Sequence, residues 1–278
     1  MAASLAIAAS LAMADSDLGT VGDYTYIQDG APSAAAPATL TADAACPAGT
    51  HVTGGGPTNI TSPAGEYFVS SNAPFDGPDG NRDPDDGWRT TAANNAGDPK
   101  PLSVTGVCSG GRLTYASRRG TAEPASARQL TARCPAGTRV TGGGARLGGP
   151  IALLWLNSSY PIDAGDGDTK PDDGWRARGY NNSGLAEAMK VFAICADLRV
   201  RYVSSAGIDP NYTFVHCPGT THVTGGGLRI TGAADEAHVN SIDPFADAVN
   251  PPDDGIVGLG ANNSGPPKTV TTFALCAR

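Results

Sequence analysis

The chain predicts an all-β fold, β-prism-like, with a pseudo-three-fold internal repeat and four strands per repeat; a β-trefoil-like arrangement is the alternative. Three observations predict it. A Cys-Pro block ending in Gly-Gly-Gly occurs three times, at residues 46–56, 134–144 and 217–227. Each copy closes on a second cysteine, Cys108, Cys195 or Cys276. Between these markers, short runs of strand-forming residues are separated by clusters of Gly, Pro, Asp and Asn.

The elements follow in order. The first strand of each unit runs from Cys-Pro through Gly54-Gly55-Gly56 or its copies. Glycines inside a strand mark a bulge or the close approach of another backbone. No Lys-Ser/Thr pair and no helix follows, which argues against a phosphate-cradling loop. The second strand carries Val69-Ser70-Ser71, Leu156-Asn157-Ser158 or Val239-Asn240-Ser241. The third follows the turn sequence Pro-Asp-Asp-Gly and begins at Trp88, Trp175 or Ile256. The fourth closes on the second cysteine. A short Tyr-bearing strand candidate precedes each Cys-Pro block, ending at Tyr26, Tyr115 and Tyr202. Residues 186–191 read as helix in isolation. Their counterparts, Leu102-Ser103-Val104-Thr105 and Thr269-Val270-Thr271-Thr272, are β-formers, so the segment is assigned as strand. The repeats span about residues 24–110, 111–198 and 199–278. With so few large apolar groups per unit, they are expected to share one core in a single domain, 24–278.

Six cysteines at matching places are expected to form three bridges, Cys46–Cys108, Cys134–Cys195 and Cys217–Cys276, because repetition of the unit selects this pairing from 15 possibilities. Each closes a loop of about 60 residues and contributes roughly 4 kcal/mol on the chain-entropy account. Bridges imply an oxidising compartment. Residues 1–14 are apolar and small and end in Ala12-Met13-Ala14, so they read as a signal peptide whose basic segment lies further upstream. The expected location is extracellular. With 27 acidic against 19 basic residues and a net charge of −8, the chain does not read as a binder of nucleic acid. No segment after the leader reaches about 18 apolar residues, so no membrane span is expected.

Cys-Pro-x-Gly, a glycine-rich strand, a Gly/Asp-Asp turn, an Asn and a closing apolar-x-Cys recur three times over residues 24–278. This combination resembles the vitelline membrane outer layer protein I family, and also secreted bacterial triple-repeat proteins with Cys-Pro-x-Gly and Gly-Gly-Gly motifs. The first resemblance implies a secreted three-fold β-prism and a link to oligosaccharides. The Gly triplets and the Trp after Asp-Asp-Gly depart from that family's pattern.

Several residues are candidates for chemistry. Trp88 and Trp175 suit either a packed core or a platform for stacking sugar rings; Ile256 in the third copy favours the core. The doubled asparagines, Asn94-Asn95, Asn181-Asn182 and Asn262-Asn263, suit turns or amide ligands for sugar hydroxyls. Asp79, Asn81, Asp83, Asp85 and Asp86, with Asp172 and Asp173 in the second copy, mimic the alternating oxygens of a calcium loop, although the Gly and bidentate Glu of such loops are missing. As plain sequence, Pro-Asp-Asp-Gly is also a good turn. No nucleophile elbow and no His-Glu-x-x-His is present. The preferred function is therefore a secreted binding or structural module for a glycan or cell-envelope polymer, its three equivalent surfaces offering avidity. The alternative is a secreted glycan-acting hydrolase or transferase that uses acidic residues.

Overall fold

The structure, a computed structural model, describes residues 16–58, 67–95, 98–164, 167–208, 212–247, 251–263 and 266–278. The expected signal peptide lies outside the described residues. Among them every regular element is a strand, apart from one 3-10 turn at Ile151–Leu153. A leading strand, β1 (Ser16–Val21), precedes the repeats. The first repeat carries β2 (Tyr24–Ala34), β3 (Ala38–Ala45), β4 (His51–Thr58), β5 (Tyr67–Phe75), β6 (Gly87–Asn94) and β7 (Lys100–Ser109). The second carries β8 (Thr114–Ala122), β9 (Ser126–Arg133), β10 (Arg139–Leu147), β11 (Leu154–Ile162), β12 (Gly174–Asn181) and β13 (Glu187–Ala196). The third carries β14 (Arg201–Ile208), β15 (Thr213–His216), β16 (His222–Ile230), β17 (Ala237–Phe245), β18 (Gly255–Asn262) and β19 (Thr269–Ala277). Residues 187–191 of the helix-like stretch fall in β13, as its counterparts required.

Each repeat thus supplies six strands where four were expected. The Tyr-bearing segments are full strands. A further strand, β3, β9 or β15, sits just before each Cys-Pro block. In β3 the residues facing the core are Leu40, Ala42 and Ala44, all buried. Only the period-2 alternation reveals such a strand, because its side chains are too small to give an apolar run.

The strands form four antiparallel sheets set in a ring, in the orders β1-β2-β7-β4, β3-β6-β5-β10-β13-β8, β14-β19-β16-β11-β12-β9 and β15-β18-β17. The two six-stranded sheets each join three strands of one repeat to three of the next, at Ala145↔Asn72 and Ser159↔Leu228. At the third junction β17 packs on β4 without a backbone ladder, and Ser241 Oγ donates to Pro57 O at 3.0 Å. The ring therefore has four sheets, the count of a four-bladed propeller, rather than the three four-stranded units of the expected prism. The repeat is a unit of sequence, whereas the sheets are completed between repeats.

The Thr-Gly-Gly-Gly segments meet at the centre of this ring. A Cβ on Gly54 would lie 2.5 Å from Thr224 O and 2.6 Å from Gly225 Cα. One on Gly225 would lie 2.7 Å from Thr141 O, and one on Gly142 would lie 3.1 Å from Gly54 Cα. The first glycine of each triplet thus lets three backbones converge. The middle glycine makes room for a core side chain: a Cβ on Gly55 or Gly143 would lie 2.5 Å from the Trp88 or Trp175 ring, and on Gly226 2.7 Å from Ile256. The third faces a backbone carbonyl of another repeat, of Ile242, Asn72 or Ser159. Buried threonines tie the same centre together. Thr53 Oγ1 donates to Thr224 O at 2.8 Å, and Thr224 Oγ1 to Thr141 O at 2.9 Å.

Two further sets of contacts repeat around the ring. Tyr26 OH donates to Val223 O, Tyr115 OH to Val52 O and Tyr202 OH to Val140 O, each at 2.8 Å and each between different repeats. Burial pushes all three phenols up from their ordinary range, so they remain neutral donors. The Asp-Asp turns close the other side. The carbonyls of Asp85, Asp172 and Asp253 accept from the N–H of Val52, Val140 and Val223, and those of Asp86, Asp173 and Asp254 from Cys46, Cys134 and Cys217. Disulfides Cys46–Cys108, Cys134–Cys195 and Cys217–Cys276 then bind the start of each unit to its last strand. One hydrophobic core runs through residues of all three repeats.

Two outcomes are expected. Gly142→Ala forces a methyl against Thr53 O and should cost at least about 1–3 kcal/mol, read as a fall in melting temperature. Gly110→Ala, whose Cβ meets nothing within 4 Å, should leave it unchanged; equal melting of the two variants would refute the central close approach. Thiol titration of the unreduced chain should find no free cysteine, and reduction should lower the melting temperature sharply.

Candidate functional site

Part of the sequence-predicted set turns inward. Trp88 and Trp175 are fully buried. Their indole N–H groups donate to Asn72 Oδ1 at 2.6 Å and Ser159 Oγ at 2.8 Å. Neither ring has a face for a pyranose, so the platform reading of these two is corrected to core. Asn94 and Asn181 are also buried, and their amides hold strand ends: Asn94 Nδ2 donates to Ala34 O at 2.8 Å, and Asn181 Nδ2 to Ala122 O at 2.9 Å. Asn262 Nδ2 donates to Pro266 O at 3.1 Å. Asn95 and Asn182 are exposed, and Asn263 is half-buried. The N–H of Asn182 and of Asn263 bonds to Leu153 O and Glu236 O. The first asparagine of each pair ends a strand, β6, β12 or β18, and the second begins the loop that follows.

The expected calcium ligands do not converge as one set. Asp79 accepts from the backbone and the amide of Asn81, and Asn81 Oδ1 accepts from the N–H of Asp83. Asp85 turns to His51 at 2.8 Å and Asp172 to Arg139 at 3.2 Å. Asp86 and Asp173 accept the N–H of Gly77 at 2.5 Å and of Ala164 at 2.6 Å. Carboxylate oxygens of Asp76, Asp79 and Asp86 do come within 4.8 Å of one another.

The surface that stands out is the outer face of the third repeat. Directly opposite residues of antiparallel strands point to the same side. One row across β15, β18 and β17 is therefore Phe214–Val257–Asp243, and the next is His216–Gly255–Phe245. Ile256 and Ile242 point the other way, into the core. Phe214 is 54 % exposed and Tyr212 is 47 % exposed, in a chain that buries most of its large apolar side chains. The rings form a connected strip. Tyr212 and Phe214 have centroids 6.4 Å apart; Phe214 and Phe245 meet edge to face at 5.6 Å, and His216 and Phe245 at 5.0 Å. Phe245 lies over Gly255, where a Cβ would come within 2.9 Å of its ring. His216 Nε2 lies 3.3 Å from Asp247 Oδ1 at the polar end.

Asp243 is the chemically unusual member. Burial alone pushes its carboxyl up to about 7. Asp243 stands two residues before Phe245 on β17, on the same face of the sheet.

The same rows in the other repeats carry different chemistry. In the first repeat the row is Asp43–Arg89–Ala73, and Arg89 is spent on Asp43 and on the Phe75 ring, 4.8 Å from its centroid. In the second it is Thr131–Arg176–Tyr160. The equivalent surfaces expected to give avidity are equivalent only in backbone. Sequence reading missed Tyr212, Phe214 and Asp243 because it followed residues shared between copies. The available signal was the alternation Tyr212-x-Phe214-x-His216 before Cys217, where the other copies have Thr41-x-Asp43 and Gln129-x-Thr131.

No protein-family model matches this chain, and no curated protein matches it either. No helix among the described residues is long and apolar enough to cross a membrane.

Asp243 gives a pH-dependent outcome. Its folded-state pKa lies above the value of an exposed aspartate, so the stability it confers is complete in acid and is lost as pH rises through about 7. Asp243→Asn should therefore melt higher than the parent at pH 8, by on the order of 2 kcal/mol after allowance for its partial exposure. The advantage should vanish toward pH 4. A constant difference across that range would place Asp243 in open solvent.

Proposed function

We propose that this chain is a secreted, disulfide-stabilised binding module for a glycan or cell-envelope polymer, and that the ligand lies on the outer face of the third repeat. The observation that carries the reading is the strip Tyr212–Phe214–Phe245, in which Phe214 on β15 and Tyr212 just before it are exposed. Aromatic faces complement the C–H faces of sugar rings, and His216, Asp247 and Asp243 supply polar groups for hydroxyls beside them. Phe214 and Phe245 stand on paired strands, and side chains held on a sheet lose little conformational freedom when a ligand lands. The three disulfides support an oxidising location. The resemblance to the vitelline membrane outer layer protein I family supports the saccharide class.

Tyr212→Ala and Phe214→Ala remove exposed rings and should leave melting nearly unchanged. Each should weaken retention on an insoluble polysaccharide by about 1 kcal/mol, roughly fivefold. Undiminished retention in the double variant would remove the strip from the function. A glycan-acting hydrolase is the second reading, favoured by the raised pKa of Asp243, which suits a general acid. Release of reducing ends by the parent chain and its loss in Asp243→Asn would select that reading over plain binding.

A further inference from the structure

The second repeat carries the opposite charge from the rest of the chain. Residues 111–198 hold 11 Lys and Arg against 8 Asp and Glu, a net +3 in a chain of net −8. Part of this charge is gathered in one place. Arg176 and Arg178 stand two residues apart on β12, and Arg229 comes from the third repeat on β16, beyond β11 in the same sheet. A cavity of about 420 Å³ lies among them, with Gln129, Tyr160 and Thr231 also on its wall and no carboxylate in its lining.

The guanidinium groups are positioned by neutral partners. Arg176 Nε donates to Thr131 Oγ1 at 3.2 Å, and Arg178 Nη1 to Gly232 O at 2.8 Å. The Arg229 guanidinium lies over the Tyr160 ring, 5.9 Å from its centroid, and that ring stacks on Phe273 at 5.9 Å. Among the described residues none of the three pairs with a carboxylate, although the chain has more acids than bases. Three like charges around one cavity repel one another. Arg176 and Arg178 each spend one donor on a neutral oxygen and Arg229 packs over a ring, which leaves other N–H groups to donate to an oxyanion as a planar fork.

We propose that this groove binds an oxyanionic group, a carboxylate, sulfate or phosphate, shared between Arg176, Arg178 and Arg229. The proposal does not depend on the aromatic strip, which lies on a different sheet. It places a site at the junction of the second and third repeats, so the site requires the assembled ring.

The test is titration calorimetry of the full chain at low ionic strength with sodium sulfate, phosphate and acetate, against sodium chloride at matched ionic strength. The parent should bind at least one oxyanion with saturable heat that chloride does not reproduce. Arg176→Gln with Arg229→Gln should weaken this at least tenfold while melting at or above the parent temperature in low salt, since repulsion is relieved. Arg118→Gln with Arg119→Gln, an equal loss of charge on β8, should bind like the parent. Equal binding by the Arg176/Arg229 variant, or equal weakening by the β8 variant, would overturn the site and leave general charge screening. A second arm compares sulfated with unsulfated polysaccharide. Preference for the sulfated polymer that is lost in the Arg176/Arg229 variant assigns the anion to a saccharide, and inorganic sulfate binding without that preference assigns it to the free ion. Tyr212→Ala should leave the sulfate titration unchanged, so failure of either site is read separately.

Discussion

The close approach of three backbones at the Thr-Gly-Gly-Gly segments is the constraint on which the rest depends. Every position in the triplet is occupied from the side where a Cβ would stand, but by a different neighbour. The first glycine meets another central strand, the second a core ring or Ile256, the third a carbonyl of another repeat. No single larger residue satisfies all three demands. Gly-Gly-Gly therefore follows from geometry and not from a need for flexibility. The entropic penalty of three glycines per strand is offset by the threonine hydrogen bonds, which are buried and well aligned at 2.8 and 2.9 Å.

The remaining repeated motifs can be derived from that centre. Once three strands converge, their outer ends must be tied to one another. Each Tyr hydroxyl reaches the carbonyl of Val52, Val140 or Val223, two residues before the glycines of another repeat. Each Asp-Asp pair presents two successive carbonyls to the N–H groups of the Cys-Pro strand, which would otherwise be buried without acceptors. The disulfides close each unit on itself. Local ties within a repeat and hydrogen bonds between repeats thus alternate around the ring. Few large side chains are then needed, which accounts for a protein of this size with only 6 % aromatic residues.

What was legible in the sequence follows the same division. The bridges, the β-character of 187–196 and the role of the Gly triplets were readable because each copy repeats them. The core assignment of Trp88 and Trp175 was readable from Ile256, since an aliphatic replaces a ring in a core but not on a stacking platform. The strands β3, β9 and β15 were missed because their inward residues, such as Ala42 and Ala44, give no apolar run. The four-sheet ring was missed because hydrogen bonding crosses the repeat boundary at Asn72 and Ser159, and a tandem repeat does not say which neighbour completes a sheet. The candidate ligand faces were missed because they are the positions at which the copies disagree.

That disagreement has a physical basis. Val215, Ala44 and Ala132 face the core at one register position, and only small or medium apolar groups fit there. The residue before it on the strand, Phe214, Asp43 or Thr131, faces out and is limited by its cross-strand neighbour alone. Val257, Arg89 and Arg176 are those neighbours, and each pair is chemically matched: apolar with apolar, acid with base, hydroxyl with guanidinium. A change at one outer position is therefore accommodated by its partner without reaching the glycine centre. The scaffold holds three faces at fixed geometry while leaving their chemistry free. An aromatic strip and an arginine groove on one ring are what such a division of constraint permits.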